Sequence, residues 1–201
     1  MYALVEDNSI TKTYNNPRGM TIGGVQYPQN IHSLWSESDL NAIGIYTVVY
    51  DDTNKKDEEW YINTNQTLAF AGGVVTASYG TATARAIADR NGTDEDGVEL
   101  DPVVVIKGLK TVKKEIFDRQ AAGLLAKYDW YIIRNTEAST AIPSVITDYR
   151  TAVRAKCNSM QAQIDNASDV DALAALFTYT EQEDGSTTRP LGEFPTDPNA
   201  E

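Results

Sequence analysis

A change of hydrophobic period near residue 107 constrains this chain more than any other feature. Before it, apolar side chains come in short runs of strand length broken by turn residues. Tyr2–Glu6 and Ile10–Tyr14 flank Asp7-Asn8-Ser9, the pattern of a hairpin. Val25–Tyr27, Ile45–Tyr50, Trp60–Asn63 and Val74–Tyr79 read as further strands, with Gly23-Gly24 and Gly72-Gly73 as turns. One short helix is predicted within this part, over Ser36–Ile43. Ser36 can accept from a free N–H, Asp39 occupies the third helical position, and Gly44 can take the left-handed stop.

From Lys107 onward apolar residues recur at helical steps. Leu109, Val112, Ile116, Leu124 and Tyr128 form one stripe, and Ile146, Tyr149, Val153, Cys157, Met160 and Ile164 a second. Pro143 suits the first position of that second helix. Ser168, with Asp171 three residues on, is expected to cap a third helix whose apolar face is Leu173, Leu176 and Phe177. The expected fold class is α+β, with four segments. They are a small β-rich domain over 1–80, a linker or exposed loop over 81–106, an α-helical hairpin domain over 107–177, and a polar tail over 178–201. The tail is acidic and holds three of the seven prolines, so it reads as unfolded.

Charge decides which partners are plausible. The chain carries 17 basic and 29 acidic residues, a net of −12. A nucleic-acid binder neutralises phosphates with clustered cations, so nucleic acid is not an expected partner. Residues 1–106 have a net charge of −9, residues 107–156 of +5 and residues 157–201 of −8. No apolar run, Val103–Ile106 included, is long enough to span a bilayer, and the first residues lack the basic and apolar regions of a signal peptide. A soluble protein made in a reducing cytoplasm is expected, without membrane association. Its single cysteine, Cys157, excludes an internal disulfide and a cysteine-based zinc site.

Each catalytic arrangement lacks a part. His32 is the only histidine, and it precedes the short helix in a loop sequence. Cys157 lies on an apolar helical stripe, where a thiol packs as a small hydrophobe. Neither glycine pair has the Lys-Ser/Thr that cradles phosphate. Asp94-Glu95-Asp96-Gly97 looks like part of a calcium loop, but the twelfth position from Asp94 is Val105 where such a loop needs Glu. Asp51-Asp52 with Asp57-Glu58-Glu59 is a second acidic cluster and reads as a solvated turn. No catalytic, cofactor-binding or metal-ligating residue is expected, and no enzyme activity.

Three blocks of the C-terminal half carry a resemblance. They are Arg119-Gln120-Ala121-Ala122-Gly123-Leu124-Leu125-Ala126, then Tyr128-Asp129-Trp130-Tyr131-Ile132-Ile133-Arg134, then Ile142-Pro143 followed by Tyr149-Arg150-Thr151-Ala152-Val153-Arg154. Their order and spacing resemble the C-terminal module of tailed-bacteriophage tail-fibre and tail-assembly-chaperone proteins. Met1–Asp7, Tyr27-Pro28 and Leu34–Tyr46 are similar to the small β-rich front end of such proteins. That module often closes on a Trp-Pro step, where this chain has Phe194-Pro195.

The resemblance implies a virion component at the baseplate or fibre attachment, or a fibre-assembly chaperone not retained in the particle. Either would be synthesised in the host cytoplasm and contact phage tail or fibre proteins as a homo- or hetero-oligomer. A metal-dependent carbohydrate-binding module, suggested by 11 tyrosines, Trp35, Trp60 and the acidic clusters, is the other reading. Trp130 can fill the corner of the helical hairpin as a core residue. It can equally form an interface with Arg134, Tyr149, Arg150 and Arg154, because Trp and Arg are enriched at binding hot spots. The arginines can pair with Asp129, Glu137 or Asp148.

Overall fold

Asp7 and Asn8 take positive φ values of 47° and 60°, as both central residues of a type I′ hairpin turn must. Short polar side chains tolerate that region, so the pair closes β1 (Tyr2–Glu6) onto β2 (Ser9–Tyr14), with Glu6 opposite Ser9. The structure, a computed structural model, describes residues 1–199. It mixes helices and strands in an α+β class and divides into two compact units, Met1–Thr83 and Ala84–Glu201.

The first unit continues through β3 (Met20–Ile22), β4 (Val25–Tyr27), α1 (Ile31–Leu34), α2 (Glu37–Ala42), β5 (Ile45–Asp51), β6 (Tyr61–Ile62), β7 (Gln66–Ala71) and β8 (Val74–Tyr79). Five strands form one sheet in the order β2-β1-β5-β8-β7. β5 and β8 pair in parallel and the other neighbours antiparallel. The sheet curls, so that its outer strands β2 and β7 approach each other.

Because side chains alternate across a strand, β1 serves two cores. Leu4 packs with Tyr14, Met20, Ile31, Leu40 and Ile45, while Ala3 and Val5 join Val48, Val75 and Ala77 on the other face. Helix α2 starts with the expected reciprocal cap. Ser36 Oγ accepts from the Asp39 N–H, and Asp39 Oδ2 accepts from the Ser36 N–H, both at 3.2 Å. The Ser36 hydroxyl, which donates to Asp39 Oδ2 at 2.6 Å, and then the Ser36 N–H hold the Asp39 carboxyl below its usual range. Gly44 ends the helix at φ 84°, and a Cβ there would lie 2.6 Å from the Val5 carbonyl oxygen.

Strand β3 and the one-turn helix α1, which takes in His32 where a loop was expected, are additions to the sequence reading, and two further differences have local causes. The strand expected over Trp60–Asn63 shrinks to Tyr61–Ile62, because the N–H groups of Trp60 and Tyr61 both bond the Asp57 carbonyl in a tight turn. β7 was not expected; it half-buries Leu68 and Phe70, but Ala69 and Ala71 alternate with them and hide the period.

At the junction of the units lies β9 (Thr83–Ala84). In the second unit, β10 (Arg90–Asn91) and β11 (Val105–Ile106) pair antiparallel, giving structure to the segment read as a linker or loop. Asp94 Oδ1 holds its tip by accepting from the N–H groups of Asp96 and Val98. Four helices follow, where three were expected in the hairpin domain, α4 being the addition: α3 (Leu109–Ala126), α4 (Asp129–Ala138), α5 (Ser144–Asn166) and α6 (Val170–Phe177).

All six residues of the predicted α5 stripe are buried. On α3 the face is rotated: Lys113, Phe117 and Ala121 are its buried residues, and Val112 is exposed. The Lys113 ammonium lies 4.9 Å from the centre of the Phe177 ring, so its stem can occupy an apolar face. Asp169, rather than Ser168, caps α6 by accepting from the Ala172 N–H at 2.8 Å. The Ser168 hydroxyl donates to the other Asp169 oxygen. Pro143 stands just before α5 rather than in its first turn.

The predicted polar tail is largely a packed strap. β12 (Thr180–Glu181) and β13 (Thr187–Thr188) form a hairpin, and Leu191 beyond it is fully buried. Lys156 Nζ donates to the Leu191 carbonyl at 2.8 Å, and the Phe194 ring lies 6.3 Å from that of Phe117. Two apolar anchors in an acidic stretch are too few to shift its composition, so the sequence hides this packing. Ala200 and Glu201, also assigned to the tail, lie outside the described residues. No helix among the described residues is long and apolar enough to cross a membrane.

Candidate protein-interaction site

Helix α4 is anchored at its start and uncovered beyond it. Tyr128, just before the helix, is buried, and its hydroxyl donates to Asp197 Oδ1 on the strap. Lys127 Nζ binds the other Asp197 oxygen at 2.7 Å, and Asn199 Nδ2 donates to the Tyr128 hydroxyl at 3.1 Å. Hydrogen bonds from Lys127 and then Tyr128 bring the Asp197 carboxyl down to about 2. In the first turn, Asp129 pairs with Arg150 of α5 at 2.8 Å. Arg150 also donates to the Leu125 carbonyl in the last turn of α3 at 2.7 Å. One guanidinium thus joins three helices.

Beyond that base, no residue of α4 is buried. Trp130 is 48% exposed, Ile132 41% and Ile133 56%. The Trp130 ring lies 3.8 Å from that of Tyr131, and the Arg134 guanidinium stacks 4.8 Å from Trp130 and 5.2 Å from Tyr131. Arg134 Nε is shielded from solvent without a hydrogen-bond partner. The result is a stacked aromatic and cationic surface with exposed isoleucines beside it, a combination typical of binding hot spots.

The five residues predicted for an interface therefore separate. Trp130 and Arg134 come together on α4, and Trp130 is not the core residue of a hairpin corner. Arg154 is exposed on α5 and makes a 3.4 Å contact with the Arg150 carbonyl. Tyr149 and Arg150 are buried within the helical unit and unavailable to a partner. Tyr149 packs edge-on against Tyr128 at 5.6 Å; burial, then the Asp197 charge, pushes its hydroxyl pKa up. Of the carboxylates considered for the arginines, Asp129 takes the pair with Arg150. Ile132 and Ile133 were missed as site residues, because an apolar pair in a helical segment reads first as core.

The remaining candidates have structural settings. His32 is half-buried in α1 with its ring 4.4 Å from that of Tyr2, and both ring nitrogens lack partners. Cys157 is buried, and burial, then the Asp118 charge, pushes its thiol up. Among the described residues, no group of three or more His, Cys, Asp or Glu side chains is placed to hold a metal ion. In the acidic turns, Asp51 and Asp57 each accept from a backbone N–H two residues on. Comparison with protein-family models, curated proteins and solved structures gives no match to this chain.

Proposed function

We propose that this chain is a non-enzymatic, tail-associated structural protein of a tailed bacteriophage, acting through protein–protein contacts at the baseplate or fibre attachment. The observation that carries the contact role is α4, a helix fixed at its base whose Trp130, Ile132 and Ile133 stay in solvent. Isolated exposed apolar residues are ordinary, but a stacked Trp and Arg beside two isoleucines is suited to bury against a protein. The tail assignment rests on the three sequence blocks over residues 107–177, and the exposed part of the second block is this helix.

Mass spectrometry of purified phage particles tests the assignment. The chain is expected among the virion proteins at a stoichiometry that matches a tail ring or fibre. Its presence in infected cells but absence from particles would instead favour the assembly-chaperone role, which can use the same surface.

A further inference from the structure

Between β10 and β11 the chain runs out as an ordered arm. Thr93 bridges Glu99 antiparallel, the Asp94 N–H donates to the Val98 carbonyl at 2.8 Å, and the Leu100 N–H donates to the Gly92 carbonyl at 3.0 Å. The arm's apolar side chains nonetheless stay in water. Val98 is 61% exposed, and Val103, Val104 and Val105 are each exposed by half or more. Burial against a partner would remove that surface from solvent.

The arm also gathers charge of one sign. Residues 91–106 hold five acidic side chains and no basic one. Asp94 braces the tip, whereas Glu95, Asp96, Glu99 and Asp101 form no ion pair among the described residues. Helix α4 offers the reverse combination. Trp130, Ile132 and Ile133 are exposed, and the stacked Arg134 guanidinium meets no carboxylate among the described residues. Glu137, the acid of α4 without an ion pair there, stands about two turns beyond Trp130. The helix lies within residues 107–156, the one part of the chain with a net positive charge, +5. Arm and helix belong to the same unit and both stay exposed in it, so a contact between them forms between copies.

We propose that the arm of one copy docks on α4 of the next, head to tail. Charge selects this pairing over either surface meeting itself. Two arms would set five carboxylates against five, and two α4 faces would leave both arms in water. Arm on helix instead covers both apolar surfaces and gives Arg134 the carboxylates it lacks. A head-to-tail contact repeats, closing into a ring or running on as a filament. This inference rests on reading α4 as a contact surface and not on the tail assignment.

Sedimentation velocity of the full chain across a concentration series tests it by complementation. The wild type should assemble reversibly beyond the dimer. Trp130→Ala, which spoils the helix face, and Val98→Lys, which spoils the arm, should each weaken association about tenfold or more. Mixed in equal amounts, these two variants should form dimers and go no further, because the intact arm of one meets the intact α4 of the other. Arg134→Glu should also weaken association, and adding Glu95→Lys and Glu99→Lys to the same chain should restore it. Trp130, Val98, Glu95 and Glu99 are exposed, and a wild-type circular dichroism spectrum checks that each variant folds. A wild type that stays monomeric at every concentration overturns the proposal. If phage carrying Trp130→Ala then still fail to assemble, α4 meets a different protein, and only the head-to-tail pairing falls. Association that Val98→Lys leaves intact overturns it too, as does a mixture no more associated than its parents or a charge exchange that restores nothing.

Discussion

At Arg150 one guanidinium nitrogen serves two neighbours, the Leu125 carbonyl and the Asp129 carboxylate. Its removal leaves a carbonyl at the end of α3 without its donor. Arg150→Ala should therefore lower stability by about 1–3 kcal/mol, read as a shift of the urea midpoint. Little of that loss comes from Asp129, which is more than half exposed and can take water instead. Asp197 acts at the same corner with a defined dependence on pH. Its folded pKa of about 2 lies below the model-compound value of about 3.9. The group's contribution is therefore full above the unfolded value and is lost as pH falls through the folded one. Asp197→Asn should be less stable than wild type near neutrality, and that difference should shrink between about pH 5 and pH 2. A difference that is constant across this range would mean the carboxylate's charge contributes nothing.

Elements differ in how much of them the sequence reveals. α5 is buried along one clean stripe, and each of its six residues was legible from spacing. α2 was equally legible, because its cap and stop are local signals. α3 was read with a rotated face, since Leu109 and Leu124 flank the buried stripe while Val112, inside the expected one, faces solvent. α4 was not separated from its neighbours at all: Trp130, Ile132 and Ile133 obey a core pattern although the chain leaves them outside. Local patterning cannot distinguish a residue that will meet its own core from one left for a partner. The strap was hidden for the opposite reason, as its hold depends on long-range contacts from Leu191, Phe194 and Asp197. Removing residues 179–201 should uncover Phe117 and Tyr128, lower the melting temperature and increase binding of a hydrophobic dye. An unpacked tail would leave both unchanged.

Across the whole molecule, chemistry-bearing residues are set into structure and contact-bearing residues are set outside it. Cys157 is protonated in a core, Arg150 and Tyr149 join helices, and the acidic turns satisfy their own backbones. Trp130 and Arg134 stack in solvent. This distribution supports a molecule that works by being held against others, and Trp130 is where folding and contact separate most clearly. The most direct measurement pairs the melting of isolated Trp130→Ala with the assembly of phage that carry the same change. The isolated variant should unfold within about 0.5 kcal/mol of wild type, as surface substitutions do. Particles should then lack the chain or fail to complete their tails. Complete, infectious particles with a normal complement of the variant chain would contradict the account, as would a variant that no longer folds.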